Sequence, residues 1–251
     1  MSRIRSFATA LAMLAAAMLG GAIGAQEAKA GLVTVVGDVN AADAANFPLY
    51  DNVLGAAGSV LFSRNAGQQG NIFNHYNGLS GVTATASAAA LTGGTLAGVD
   101  LLVVTRTFGI GFDYSAAEIA AVAAYVAAGG SVLMIAEAQG PAAVLDSYND
   151  FLAGIGSSIQ YTGDRIGAVL TVSPVEATAL TTGVTQFTVA FYNTLSGGIA
   201  AVNAPEGMVV AFEDVGGAVP EPATLAVLGL GLAAIGAARR QKAAQGRVRY
   251  R

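Results

Sequence analysis

The chain has 251 residues, with 12 basic and 16 acidic side chains, one histidine, and neither cysteine nor tryptophan. Hydrophobic residues make up 54% of it and charged residues 11%, which excludes a disordered polypeptide. The lack of cysteine excludes disulfides, thiolate nucleophiles and Cys-held zinc or iron–sulfur clusters, and a single histidine excludes a multi-histidine metal centre.

Charge is distributed in three blocks. Residues 1–30 carry Arg3, Arg5 and Lys29 against Glu27; residues 31–219 carry three arginines against 14 acidic residues; residues 220–251 carry five arginines and one lysine against Glu221. A lysine-free, strongly acidic middle supplies no counterion release to a phosphate backbone, so no nucleic-acid partner is expected.

Residues 1–30 read as a secretory signal peptide. Arg3 and Arg5 form its charged start, Phe7 to Ile23 its apolar helix, and Ala28-Lys29-Ala30 a small-residue cleavage site, with a cut after Ala25 as the alternative.

Residues 31–219 are expected to form one α/β domain. Leu32–Val36 reads as an edge strand. Asp38, Asn40 and Asp43 offer oxygen ligands of the kind calcium uses, but they lack the spacing and distal Glu of a dedicated loop, so no metal is assigned. Val60–Phe62, Leu101–Val104 and Val132–Ala136 are short continuous apolar runs suited to strands buried on both faces. His75, among Asn and aromatic residues, is a candidate general base or sugar contact, or a surface histidine on a short helix. Ser115 and Glu118 form an S-x-x-E capping box, Ile119, Val122 and Val126 one helix face, and Gly129-Gly130 its stop. With the flanking runs this predicts a βαβ unit. A second helix is predicted over Pro141–Ala153, then strands over Val169–Val172, Phe187–Phe191 and Met208–Phe212. The predicted fold class is therefore α/β, a three-layer sandwich around a mostly parallel, flavodoxin-like sheet with additional β structure.

Ala223 to Ala238 is a run of 16 uncharged residues followed by Arg239, Arg240 and Lys242. At ~1.5 Å per residue it makes a helix of about 24 Å, which flanking residues and snorkelling arginines extend to a transmembrane span. The positive charge beyond it holds the tail in the cytoplasm and the acidic domain outside. Immediately before this run stand Pro220, Glu221 and Pro222. Pro-Glu-Pro, an apolar helix and an Arg-Arg cluster over residues 220–251 resemble the PEP-CTERM sorting signal, although the tail beyond Arg240 is longer than usual. The resemblance implies a Gram-negative exported protein, anchored in the inner membrane as a precursor with a periplasmic domain. It further implies recognition by exosortase and the secretion machinery, then transfer to the cell surface or medium, in association with extracellular polysaccharide.

The stretch from Gly98-Val99-Asp100 to Ala136 resembles class I glutamine-amidotransferase-like and ThuA-like domains, whose shared core is an Asp-led strand, a helix ending in Gly-Gly and another strand. Aligned on those features, the family's cysteine nucleophile falls at Ala136, followed by Glu137. The resemblance thus implies the fold without amidotransferase activity, and no cofactor.

Open parallel sheets bind ligands beyond the carboxyl ends of their strands. Arg64, Arg106 and Glu137 each fall one step past a predicted strand, so a carboxylate or an acidic sugar gripped by an arginine fork is one expectation. A mutual Arg106–Glu137 pair that merely orders the loops is the other. No catalytic residue is assigned. The sequence points to a non-catalytic binding or structural module; the competing reading is a cofactor-free hydrolase or lyase acting on extracellular polysaccharide through carboxylates near Glu137.

Overall fold

The computed structural model describes residues 30–64, 69–107, 109–163, 165–173 and 175–216. The expected signal peptide and the expected transmembrane helix of residues 220–251 fall outside the described residues. Among the described residues no helix is long and apolar enough to cross a membrane.

Lys29–Gly217 form a compact unit built on a nine-stranded mixed sheet, an α/β arrangement. Its parallel half consists of β3 (Thr83–Ser87), β2 (Ser59–Ser63), β4 (Leu101–Thr105), β5 (Ser131–Ile135) and β1 (Gly31–Val36), in that spatial order. β11 (Gly207–Val215) then pairs antiparallel with β1, from Gly31 opposite Val215 to Val36 opposite Val210. β10 (Ile199–Ala204), β9 (Leu195–Ser196) and β6 (Gln160–Tyr161) extend this antiparallel half. Two strands, β7 (Ile166–Val172) and β8 (Phe187–Tyr192), form a separate antiparallel ribbon.

The continuous apolar runs work because successive side chains point to opposite faces. Leu101 and Val103 join the core beneath helices α1 (Phe47–Leu54) and α2 (Gly70–Gly78) and the β7–β8 ribbon. Leu102 and Val104 join the opposite core, beneath α3 (Ala116–Ala127) and α4 (Ala142–Gly154). The βαβ unit β4–α3–β5 is present, with both bonds of the Ser115/Glu118 capping box. Pro141 caps α4 from outside, one residue short of the expected start, since its fixed φ suits a helix entrance.

Two expectations are corrected. Leu32–Val36 is not an edge strand: β1 lies between β5 and β11, where Val33, Val35 and Val36 are fully buried. The sheet is also not mostly parallel, because β11, β10, β9 and β6 make its other half antiparallel. β10 and β11 are joined by the tight turn Pro205-Glu206, with no crossover helix between them, and so return antiparallel.

Candidate functional site

Four side chains cross the carboxyl ends of the parallel strands in spatial order: Arg64 after β2, Arg106 after β4, Glu137 after β5 and Asp38 after β1. The strand order, rather than chain order, sets this row of two cations and two anions.

On the cationic side, Asp113 from the β4–α3 connection bridges both arginines. Arg64 Nε donates to Asp113 Oδ1 at 3.2 Å, and Arg106 Nη2 lies 3.2 Å from Asp113 Oδ2. Asp113 is 58% exposed, so this rim faces solvent. Arg64 also donates to Glu118 Oε1 at 3.2 Å and lies over the Tyr114 ring, 4.6 Å from its centroid. Burial alone would raise the Glu118 carboxyl, but hydrogen bonds from Ser115 and Leu91, with Arg64 alongside, hold it below its ordinary value.

On the anionic side, Asp38 and Glu137 are fully buried. Asp38 accepts from the backbone of Asn40 and of Ala190, both at 2.6 Å. Glu137 accepts from Asn40 Nδ2 at 3.0 Å and from Arg165 Nη1 at 2.9 Å. Burial pushes the Asp38 carboxyl up to about 7, with Glu137 adding to the rise against the hydrogen bonds that lower it. Burial likewise raises Glu137, partly offset by Arg165. Beneath the pair, buried Asn193 accepts from Ala138 N at 2.7 Å and donates to the carbonyls of Ala138 and Gly163. Gly37 allows this approach: a Cβ there would stand 2.4 Å from the Asn193 carbonyl oxygen.

Arg106 and Glu137 are therefore not partners; their ion pairs are with Asp113 and Arg165 respectively. His75 sits on α2, where its Nε2 lies 2.7 Å from Asp51 Oδ1 and its ring stacks on Phe47 at 4.0 Å, joining α2 to α1. Asp43 does not turn toward Asp38; it caps the short 3-10 turn Ala44–Asn46 through Ala45 N. Among the described residues no group of three or more His, Asp or Glu side chains converges as a metal site. Arg165 and Asn193 join the site without any sequence signal, because only the ribbon and β9 bring them to the strand ends.

Among the described residues, clefts open at both ends of the parallel strands. One of about 580 Å³ lies at the opposite end of the strands, lined by Leu32, Asp100, Leu101, Ser131 and Asp214 among others. The other, of about 400 Å³, opens beside Arg165 and is lined by Gln139, Gly140, Arg165 and Gly167.

Residues 218–241 match the model of the PEP-CTERM protein-sorting motif. No curated protein matches the chain. Among solved structures, the "mmIFT52 N-terminal domain" is similar at 21% identity and a TM-score of 0.45, over 60% of this chain and 78% of that one. The chain thus carries a PEP-CTERM sorting motif, the mark of an exported protein that is made as a membrane-anchored precursor and sorted by an exosortase.

Proposed function

We propose that the exported chain is a non-catalytic binding or structural module, released to the cell surface and associated with extracellular polysaccharide. The observation that carries this reading is the state of the carboxylates nearest Glu137. Catalytic carboxylates of a glycosidase must reach the scissile bond, whereas Asp38 and Glu137 are fully buried and each accepts two hydrogen bonds from the protein. A pair held in this way organises loops. The open rim of Arg64, Asp113 and Arg106 is the surface on which a ligand meets polar groups held rigidly from below.

The amidotransferase-like reading of the domain belongs to the same proposal. The β4–α3–β5 unit supports it, and a buried alanine, Ala136, follows the strand where that family carries its nucleophile. The signal peptide, transmembrane helix and periplasmic placement of the domain complete the proposal, with residues 31–219 as the exported body.

One observation favours the hydrolase or lyase reading: Asp113 is exposed and stands within 3.2 Å of two arginines. Calorimetry of the full chain with the host's extracellular polysaccharide, followed by chain-length analysis of the same sample, separates the two. Binding that Arg106→Ala abolishes, with polymer length unchanged, is the expected result. Shortened polymer would make the protein an enzyme acting through Asp113, and neither heat nor cleavage would remove polysaccharide as its partner.

A further inference from the structure

A strand at the border of a sheet leaves backbone donors and acceptors unpaired, and folded proteins cover or blunt such edges. This domain covers most of its border strands with polar caps. At β6, Asn149 of α4 accepts from Tyr161 N at 2.8 Å and donates to Tyr161 O at 3.1 Å. At β3, Asn77 of α2 accepts from Ala84 N at 2.9 Å. At β10, Glu176 N donates to Ala201 O at 3.1 Å. Along β8, Asn46 bonds both the N–H and the carbonyl of Thr188, while Asp38 and Asn40 bond those of Ala190.

The caps on β8 reveal how the backbone of β7 is turned. Thr188 and Ala190 direct their N–H and C=O groups away from β7, so Thr188–Thr171 and Ala190–Val169 are non-hydrogen-bonded pairs of the ribbon. Residues in such pairs point outward on both strands, which sends the backbone groups of Val169 and Thr171 to the outer edge of β7. Among the described residues no strand and no hydrogen bond meets the backbone of either on that side. Val169 is 68% exposed, Thr171 is exposed, and Leu170 between them is only half-buried against the core. The register shift that accompanies the exposed Phe191 lies at the start of β7, and from Val169 to Val172 the pairing is regular. Neither a charged residue nor a proline, the usual guards of an open edge, occurs from Ile166 to Ser173.

We propose that the outer edge of β7 pairs with the same edge of a second copy of this chain. Antiparallel pairing about a two-fold axis at Leu170 sets Val169 opposite Thr171 of the other copy, and Thr171 opposite its Val169. In that register the outward groups of both residues are bonded in both copies. Each cross-strand pair joins two β-branched side chains, which suit a pleated surface. A two-stranded ribbon, marginal alone, thereby joins its counterpart in one wider sheet. Charge favours a copy over an unrelated strand. The domain is strongly acidic, so a basic partner is drawn to its carboxylates, whereas an uncharged strip fits an equally uncharged one, and β7 supplies it. This pairing is independent of the polysaccharide reading.

Because the chain has no cysteine, single-cysteine variants of the full chain in detergent test it directly. Leu170 would face its own copy in a non-hydrogen-bonded pair, with Cα atoms about 4.5 Å apart, within disulfide reach. Under mild oxidation Leu170→Cys is expected to form a disulfide dimer at least tenfold faster than Thr83→Cys, placed on the capped strand β3. Adding Val169→Glu should slow that reaction at least tenfold with the thermal midpoint unchanged. The rate should rise with ionic strength, as repulsion between the acidic bodies is screened. Sedimentation equilibrium of the unmodified chain and of Val169→Glu, in density-matched detergent, reads the same association without altering Leu170. A monomeric unmodified chain, equal rates at Leu170 and Thr83, or a dimer indifferent to Val169→Glu would each overturn the proposal. In host cells, a disulfide from Leu170→Cys formed chiefly to another protein would overturn self-pairing and assign the edge to a foreign strand.

Discussion

Asp38 and Glu137 follow adjacent strands, are both fully buried, and share one bridging residue: Asn40 donates its backbone N–H to Asp38 at 2.6 Å and its side-chain amide to Glu137 at 3.0 Å. Because burial holds Asp38 at about 7 against its ordinary 3.8, the folded protein binds this proton more tightly than the unfolded chain. Its contribution to stability is full below pH 3.8 and is lost as pH rises through 7. Glu137, also raised, acts in the same direction. In urea titrations, unfolding free energy is expected to fall by up to about 4 kcal/mol between pH 4 and 8 through Asp38. Asp38→Asn should flatten most of that slope; a wild-type profile that rises over this range would contradict the assignment.

The opposite sign applies to Glu118 and Glu213, whose carboxyls lie below the ordinary 4.5 because hydrogen bonds outweigh their burial. Glu213 accepts from the hydroxyls of Ser157 and Ser158 and from the backbone of Ser158 and Ile159. Their contribution is present above pH 4.5 and lost on acidification. Glu213→Gln should therefore move the onset of acid unfolding to higher pH, as followed by far-ultraviolet circular dichroism.

Asn193 replaces secondary structure at the point where three loops meet. Removing it leaves the Ala138 N–H and the Ala138 and Gly163 carbonyls without this partner. Asn193→Ala is expected to cost about 3 kcal/mol in urea unfolding. Asn193→Asp should cost more at pH 8, since it turns a carboxylate toward two carbonyl oxygens. An Asp variant more stable than the Ala variant would show that the side-chain amide is not the donor.

The two carboxylates on Arg64 should differ in weight. Asp113 is 58% exposed, so Asp113→Ala should cost less than about 1 kcal/mol. Glu118→Ala also removes the acceptor for Ser115 N and for Leu91 N and should cost about 2 kcal/mol. Equal losses in the two variants would mean that the capping box adds nothing.

For the sorting motif at residues 218–241, mass mapping of protein recovered from the host surface should find almost no peptides from Leu225–Arg251. Pro222→Ala should retain them in the membrane fraction. Abundant tail peptides in the mature wild-type protein would count against processing.

The apolar runs at Val60–Phe62, Leu101–Val104 and Val132–Ala136 were legible as buried strands because continuous hydrophobicity has one economical solution, a strand covered on both faces. The Ser115 capping box and the paired glycines after α3 were equally readable, since both are local backbone chemistry. By contrast α1, with only Phe47, Leu49, Tyr50, Val53 and Leu54 to mark it, has a length that periodicity alone cannot separate from a strand. β6, β9 and β10 are defined only by what they pair with.

The sequence by itself determined the sorting motif, the acidic lysine-free body, the exclusion of thiol and multi-histidine chemistry, and the placement of Arg64, Arg106 and Glu137 just past strand ends. These follow from composition and from short-range patterns that need no partner. Tertiary structure decided who meets whom: that Asp113 takes Arg106, that Arg165 takes Glu137, and that Asp38 is buried beside it. Strand order and the docking of the β7–β8 ribbon are long-range choices, made by fitting the two faces of the sheet to their cores. Burial, which raises the two carboxyls, and the register shift that exposes Phe191 exist only once that fit is made.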